Sequence, residues 1–215
     1  MKLVLAFHGT RSARGAEVCA SIAALVAEEV DVPVVVAYAD VLQPDVRSVV
    51  DGPCVVVPVF LAAGYHVRVD IPEQIGGRAG VVVTPPLGVD AVPAVRDRVA
   101  EAGYSDGDVL VLAAAGSSDA RAVADVRRAA AALGAAGVGF VTASPSVAEV
   151  VAAVAGRFPG RRVVVGAWLL APGVFHSSLG ECGADLVAEP VGAHPLVAEV
   201  LVRRYVEARV ASKSA

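Results

Sequence analysis

Eight short runs rich in valine and leucine recur along the chain, at 2–8, 33–39, 53–60, 80–84, 108–115, 138–142, 162–170 and 185–188. Between most of them lie alanine-rich, Glu/Arg-studded stretches of helical length, such as "AEVCASIAALVAEEV", "VPAVRDRVAEAG" and "ARAVADVRRAAAALG". This alternation constrains the fold more than any other feature. A strand that is apolar along its whole length must be covered on both faces, and parallel neighbours need a crossover long enough to hold a helix. The chain is therefore expected to be an α/β protein of doubly wound parallel sheets flanked by helices.

The pattern also repeats. "LVLAFHGTRSAR" at 3–14 aligns without a gap on "LVLAAAGSSDAR" at 110–121, each reading as strand, turn and helix start. "FLAAGYH" at 60–66 matches "LLAPGVFH" at 169–176 if one residue is added after the glycine, which sets His176 opposite His66. "PPLGVDAVPAVRDRV" and "EPVGAHPLVAEVLVRR" follow in the same order as loop and closing helix. Three matches in one order predict two similar domains, 1–104 and 105–215, each with a four-stranded parallel sheet. They are expected to meet at the Gly/Asp-containing segment "EAGYSDGD", 101–108, with a ligand cleft between them. A length of 215 residues suits two small domains with real cores.

Composition narrows the function. The net charge of −4 gives no electrostatic reason to expect nucleic acid or an anionic membrane surface as partner. No apolar run is long enough to span a bilayer, and in "MKLVLAFHGTRSAR" polar His8, Thr10, Arg11 and Arg14 follow too soon for a signal peptide. A cytoplasmic protein is expected, with Cys19, Cys54 and Cys182 as reduced, buried thiols. A P-loop is absent, the lysines being Lys2 and Lys213, at either end of the chain. Neither a GxSxG elbow nor a GxGxxG after the first strand occurs. The closing "ASKSA" is expected to fray. His194 precedes a proline suited to a first helical turn and is expected to be structural.

The remaining polar residues gather where open parallel sheets bind ligands, beyond the carboxyl ends of the strands. His8 ends the first strand, Asp40 ends the second, and His66 falls in the loop expected after the third. Two neutral imidazoles and a carboxylate suit a borderline divalent cation such as Fe(II), Co(II), Ni(II) or Zn(II). The second half places Ala115 opposite His8 and Ser144 opposite Asp40, so its copy of the site is expected to be degenerate. Arg11 and Arg14 follow His8, and Arg68 follows His66. Planar guanidinium groups beside a metal point to a polyanionic small molecule.

"AFHGTR" together with "PVFLAAGYHVRVDIP" resembles the sirohydrochlorin chelatases, class II tetrapyrrole chelatases whose long members fuse two half-domains. The resemblance runs the length of the chain. It implies a lyase that inserts Co2+ or Fe2+ into sirohydrochlorin for cobalamin or sirohaem synthesis. Ni2+ or Zn2+ would be accepted in vitro, with the metal as substrate and no organic cofactor. By the same resemblance His8 and His66 bind metal, and Asp40 stands where the family often has Glu. Asp40 or His8 would take the protons that the macrocycle loses. Arg11, Arg14 and Arg68 would hold the substrate carboxylates, and the chain would act as a monomer, a pseudo-dimer in itself. The rival reading is a metal or tetrapyrrole carrier of the same fold without turnover. A metal-dependent hydrolase is less favoured, because nothing marks a second metal or an electrophile clamp.

Overall fold

The computed structural model describes residues 1–212, so Lys213 and the rest of the terminal tail lie outside the described residues. The chain runs β1 (Lys2–Phe7), α1 (Ala13–Glu28), β2 (Val34–Tyr38), α2 (Val46–Val49) and β3 (Cys54–Pro58). A π-helical turn (His66–Asp70) then leads into α3 (Ile71–Ile75), followed by β4 (Val81–Val83) and α4 (Val92–Glu101). The repeat continues with β5 (Val109–Ala114), α5 (Ala120–Leu133), β6 (Gly137–Phe140), α6 (Val147–Arg157) and β7 (Val163–Trp168). It closes with α7 (Val174–Ser178), β8 (Leu186–Val187) and α8 (Pro195–Ala211). Every expected strand forms at its apolar run, and every strand pair is parallel. The sheets are two, ordered β2-β1-β3-β4 and β6-β5-β7-β8.

Each sheet is buried on both faces, which is why its strands do not alternate with polar residues. In the first sheet Val4, Ala6 and Val56 pack with Val46, Ile71 and Ile75 from α2 and α3. Leu3, Leu5 and Phe7 turn to the opposite face by the period-2 geometry of a strand. In the second sheet Val111, Ala113, Val163 and Val165 pack with Val147, Val151 and Val154 of α6. Gly166 in β7 lets α4 approach closely, since a Cβ there would lie 3.1 Å from Val99.

The compact units differ from two consecutive halves. One comprises Met1–Gly88 together with the chain from Ala193 onward; the other comprises Val89–Gly192. Helix α4, expected to close the first half, packs on β7 and α5, whereas α8 packs on α1 and β3. Both helices follow a loop after the last strand of a sheet, and both bury valine and alanine side chains against the sheet they cover. The break between the compact units falls before α4, at Gly88, whereas the sequence repeat divides at 104/105. The segment expected to link the halves is instead built into the second unit. Asp108 is buried and accepts two hydrogen bonds from the Arg162 guanidinium, at 2.9 and 2.8 Å. It also accepts the Ser105 backbone N–H at 2.8 Å.

Cys19, Cys54 and Cys182 are buried free thiols, and burial pushes the Cys19 thiol up to about 11. His194 caps α8, its Nδ1 accepting the Leu196 N–H, with Pro195 in the first turn. Among the described residues no helix is long and apolar enough to cross a membrane.

Candidate metal centre

The site is assembled in the first unit by the loops that follow β1, β2 and β3. β1 ends at Phe7, and Gly9 turns the chain at φ 99°, a conformation that residues with a Cβ rarely adopt. A Cβ at Gly9 would lie 2.3 Å from the Asp40 carbonyl, so only glycine lets the two loops touch there. The Asp40 N–H donates to the His8 carbonyl at 3.1 Å and fixes their register. Beyond Asp40 the chain reverses in a γ-turn: the Leu42 N–H donates to the Asp40 carbonyl at 2.8 Å across Val41, whose φ is 70°. A β-branched residue in this region is strained. The Asp40 carboxylate accepts the Val41 N–H at 2.7 Å and is held at the rim by that contact.

His66 lies on a helix, not in the loop expected from the sequence. A tight bend at Ala62–Gly64 follows β3, and a π-helical turn opens at His66, closed by the Ile71 N–H donating to the His66 carbonyl. Pro72, at the start of α3, has no N–H for an α-helical ladder across this turn, which leaves room for the wider one. The wider turn carries Asp70 almost directly over His66, and the His66 Nδ1–H donates to the Asp70 carboxylate at 2.5 Å. His8 uses the same ring nitrogen, its Nδ1–H donating to the Gly9 carbonyl at 2.9 Å. A carbonyl or carboxylate oxygen only accepts, so a neutral imidazole at either position carries its lone pair on Nε2.

The two imidazoles stand edge to face, with ring centroids 4.4 Å apart and planes at 89°. Phe60 stacks against His66 and meets His8 edge-on, each at 6.4 Å. One ligand atom from each of His8, Asp40 and His66 lies within 4.8 Å of the others. Two ligands of a single zinc-sized ion stand at most about 4.4 Å apart, so small side-chain rotations close the cluster on one ion. His8 and Asp40 are exposed and His66 is half-buried, which leaves the cluster open to an incoming ion. Among the described residues it is the one grouping of three such side chains with this spacing.

The arginines are placed unequally. Arg11 and Arg14 are exposed, on the β1–α1 loop and in the first turn of α1. Arg68 is half-buried, and at two residues from His66 along a helical turn it does not share that residue's face.

The second unit repeats the turn after its first strand without the ligands. Gly116 turns at φ 106°, and the Thr142 N–H donates to the Ala115 carbonyl at 2.9 Å, as Asp40 does to His8. The residue corresponding to Asp40 is therefore Thr142, not Ser144. The loop from Phe140 to Ser146 is one residue shorter than that from Tyr38 to Asp45, and the sequence alignment did not register the difference. The Ser177 N–H donates to the Gly173 carbonyl as the Arg68 N–H does to Gly64. No residue is inserted after the glycine, so Phe175 corresponds to His66; beyond it the second unit has α7 and a 3-10 turn in place of the π-helical turn, and by count Leu179 falls at the place of Asp70. His176 corresponds to buried Val67, and its Nε2 bonds the Ala188 carbonyl at 3.1 Å.

A sequence model of the CbiX family matches the chain twice, over residues 2–102 and 109–208. The chain belongs to the CbiX family. Among characterised relatives, the sirohydrochlorin cobaltochelatase of Methanothermobacter thermautotrophicus is 32% identical, aligned over 46% of this chain and 91% of that protein. The fold is that of SirB from Bacillus subtilis, solved with Fe3+: TM-score 0.83, 22% identity, covering 100% of this chain and 98% of that one. It is shared with a CbiX described as the terminal enzyme for biosynthesis of siroheme in denitrifying bacteria, at TM-score 0.70 and 22% identity over 97% and 99% of the two chains. The two matched segments of the CbiX model follow the sequence repeat, whereas the compact units trade their closing helices.

Proposed function

We propose that this CbiX family member is a sirohydrochlorin chelatase that inserts Co2+ or Fe2+ into the tetrapyrrole, working as a monomer with its metal chemistry confined to the first unit. The observation that carries this reading is the approach of His8, Asp40 and His66 to within 4.8 Å of one another on three separate loops. The name of the Methanothermobacter relative supports the substrate. The metals named with the SirB structures, Fe3+ and cobalt, support the choice of ion.

The ion is substrate here. His8 and His66 hold it through Nε2, with the Asp40 carboxylate offsetting part of its charge. As the ion enters, two pyrrole N–H bonds break, their electron pairs pass to the metal, and two protons leave; one divalent ion replaces two protons and the macrocycle's charge is unchanged. Asp40 or His8 accepts those protons, each offering a basic atom at the cluster. Exposed Arg11 and Arg14 bind the peripheral carboxylates through their planar forks, and half-buried Arg68 contributes a smaller share.

The test is the absorbance change of sirohydrochlorin with Co(II) or Fe(II), run anaerobically at substoichiometric protein. Many turnovers per chain are expected. Conversion that stops at one equivalent would make the protein a carrier, and none with either metal would overturn the reading.

A further inference from the structure

We propose that Asp70 is a positioning residue of the metal cluster: it holds His66 as the Nδ1–H tautomer, frees Nε2 for the ion and strengthens that nitrogen as a donor. The proposal rests on the metal-site reading above.

Three observations carry it. First, the His66 Nδ1 to Asp70 Oδ2 distance is 2.5 Å, and both side chains are largely shielded from solvent, at 31% and 24% exposure. The contact is thus a charge-assisted hydrogen bond in a site with little competing water. Second, Asp70 has no ordinary structural task at this place. It lies inside a continuous helical run, φ −63° and ψ −46°, between the π-helical turn and α3, so the backbone has no open helix start there for its carboxylate to cap, and the side chain makes no capping bond. Third, the second unit enters the matching helix through the same backbone bond but has the α-helix α7 in place of the π-helical turn, and it lacks both partners, with Phe175 for His66 and Leu179 for Asp70. The wider turn, the carboxylate and the imidazole it bonds are thus found together in one unit and missing together from the other.

The consequence is an asymmetry between the two ligands. His8 is backed by a neutral carbonyl, that of Gly9, and His66 by an anion. An imidazole whose N–H is held by a carboxylate is the more basic donor through its other nitrogen. His66 therefore anchors the ion, and His8 is the ligand that yields first when the ion moves on to the macrocycle.

The experiment compares wild type with Asp70→Ala and Asp70→Asn. Long-range 15N–1H correlation spectra of the imidazoles in metal-free protein read the tautomer, and the visible band of Co(II) reads affinity. The wild type should show His66 protonated at Nδ1. Asp70→Ala should move it toward the Nε2–H form, leave His8 as in wild type, and weaken Co(II) binding by about 10–100-fold. Asp70→Asn, whose amide oxygen still accepts the Nδ1–H, should keep the tautomer and weaken binding by a smaller factor. An unchanged His66 tautomer in Asp70→Ala, with Co(II) affinity within twofold of wild type, would overturn the assignment. If the alanine variant does not fold, Asp70→Asn decides alone, and Co(II) affinity equal to wild type overturns it. Neither readout needs a tetrapyrrole. A wild type that binds Co(II) but does not metallate sirohydrochlorin would end the chelatase reading and leave this one standing.

Discussion

At the scale of single residues the site rests on two imidazoles, a carboxylate and one glycine. His8→Ala and His66→Ala should each reduce metal insertion by at least about 100-fold, the scale on which a positioned acid–base group acts, while the unfolding temperature stays near wild type. Retention of near-normal turnover by either variant would remove that residue from the mechanism. Gly9→Ala should act through the backbone instead. Its Cβ would lie 2.3 Å from the Asp40 carbonyl at a left-handed φ, so a loss of about 1–3 kcal/mol is expected in denaturant unfolding, with weaker Co(II) binding. His8, Asp40 and His66 were legible in the sequence because each is a polar residue ending an apolar run, and strand ends in a parallel sheet share an edge. The service of Asp70 to His66 was not legible there. That relation depends on a π-helical turn, and nothing in "HVRVDIP" marks one except a proline.

At the scale of elements, the loops after the second strand of each unit differ by one residue, and the difference is taken up at Val41. The γ-turn there closes the extra residue and presents the Asp40 carboxylate at the rim, whereas in the shorter loop the Thr142 hydroxyl donates to the Ala115 carbonyl. Val41→Gly should remove the left-handed strain and raise stability by about 1 kcal/mol, and it should loosen Asp40 enough to weaken Co(II) binding. A lowered unfolding temperature would contradict the strain argument. The start of β5 supplies a pH dependence. The Arg162 guanidinium bonded to Asp108, with the Ser105 backbone N–H, holds the Asp108 carboxyl below its usual range. A carboxyl depressed in the folded state adds stability that is complete above its unfolded value, about 4, and is lost as pH falls through the lower folded value. Asp108→Asn should therefore melt below wild type at pH 7, and the gap should narrow as the solution is acidified below about pH 4. A gap constant from pH 7 to pH 2 would show that the ion pair is not its source. One-residue loop differences escaped the sequence because the flanking residues are polar and no hydrophobic period crosses them.

At the scale of the whole molecule, strands, sheet membership and family were legible, and the assignment of the closing helices was not. Hydrophobic periodicity says that α4 and α8 each cover a sheet; which sheet is a matter of tertiary packing. Val197, Val200, Leu201 and Tyr205 of α8 are buried, each worth about 1.5–3 kcal/mol. Their combined loss approaches the entire stability of an ordinary domain, about 5–15 kcal/mol. Residues 1–104 expressed alone should then lack a cooperative unfolding transition, and residues 1–88 joined by a flexible linker to 193–212 should show one and bind Co(II). A cooperative, metal-binding 1–104 fragment would refute the exchange. The exchange also orders events on the ribosome. Residues 89–192 are contiguous and can close as soon as they emerge, whereas the histidine-bearing part must wait, half-built, until α8 has been made. The portion that carries His8 and His66 is thus begun first and finished last, and a chain truncated after residue 192 should leave it open to proteases while its neighbour already resists them.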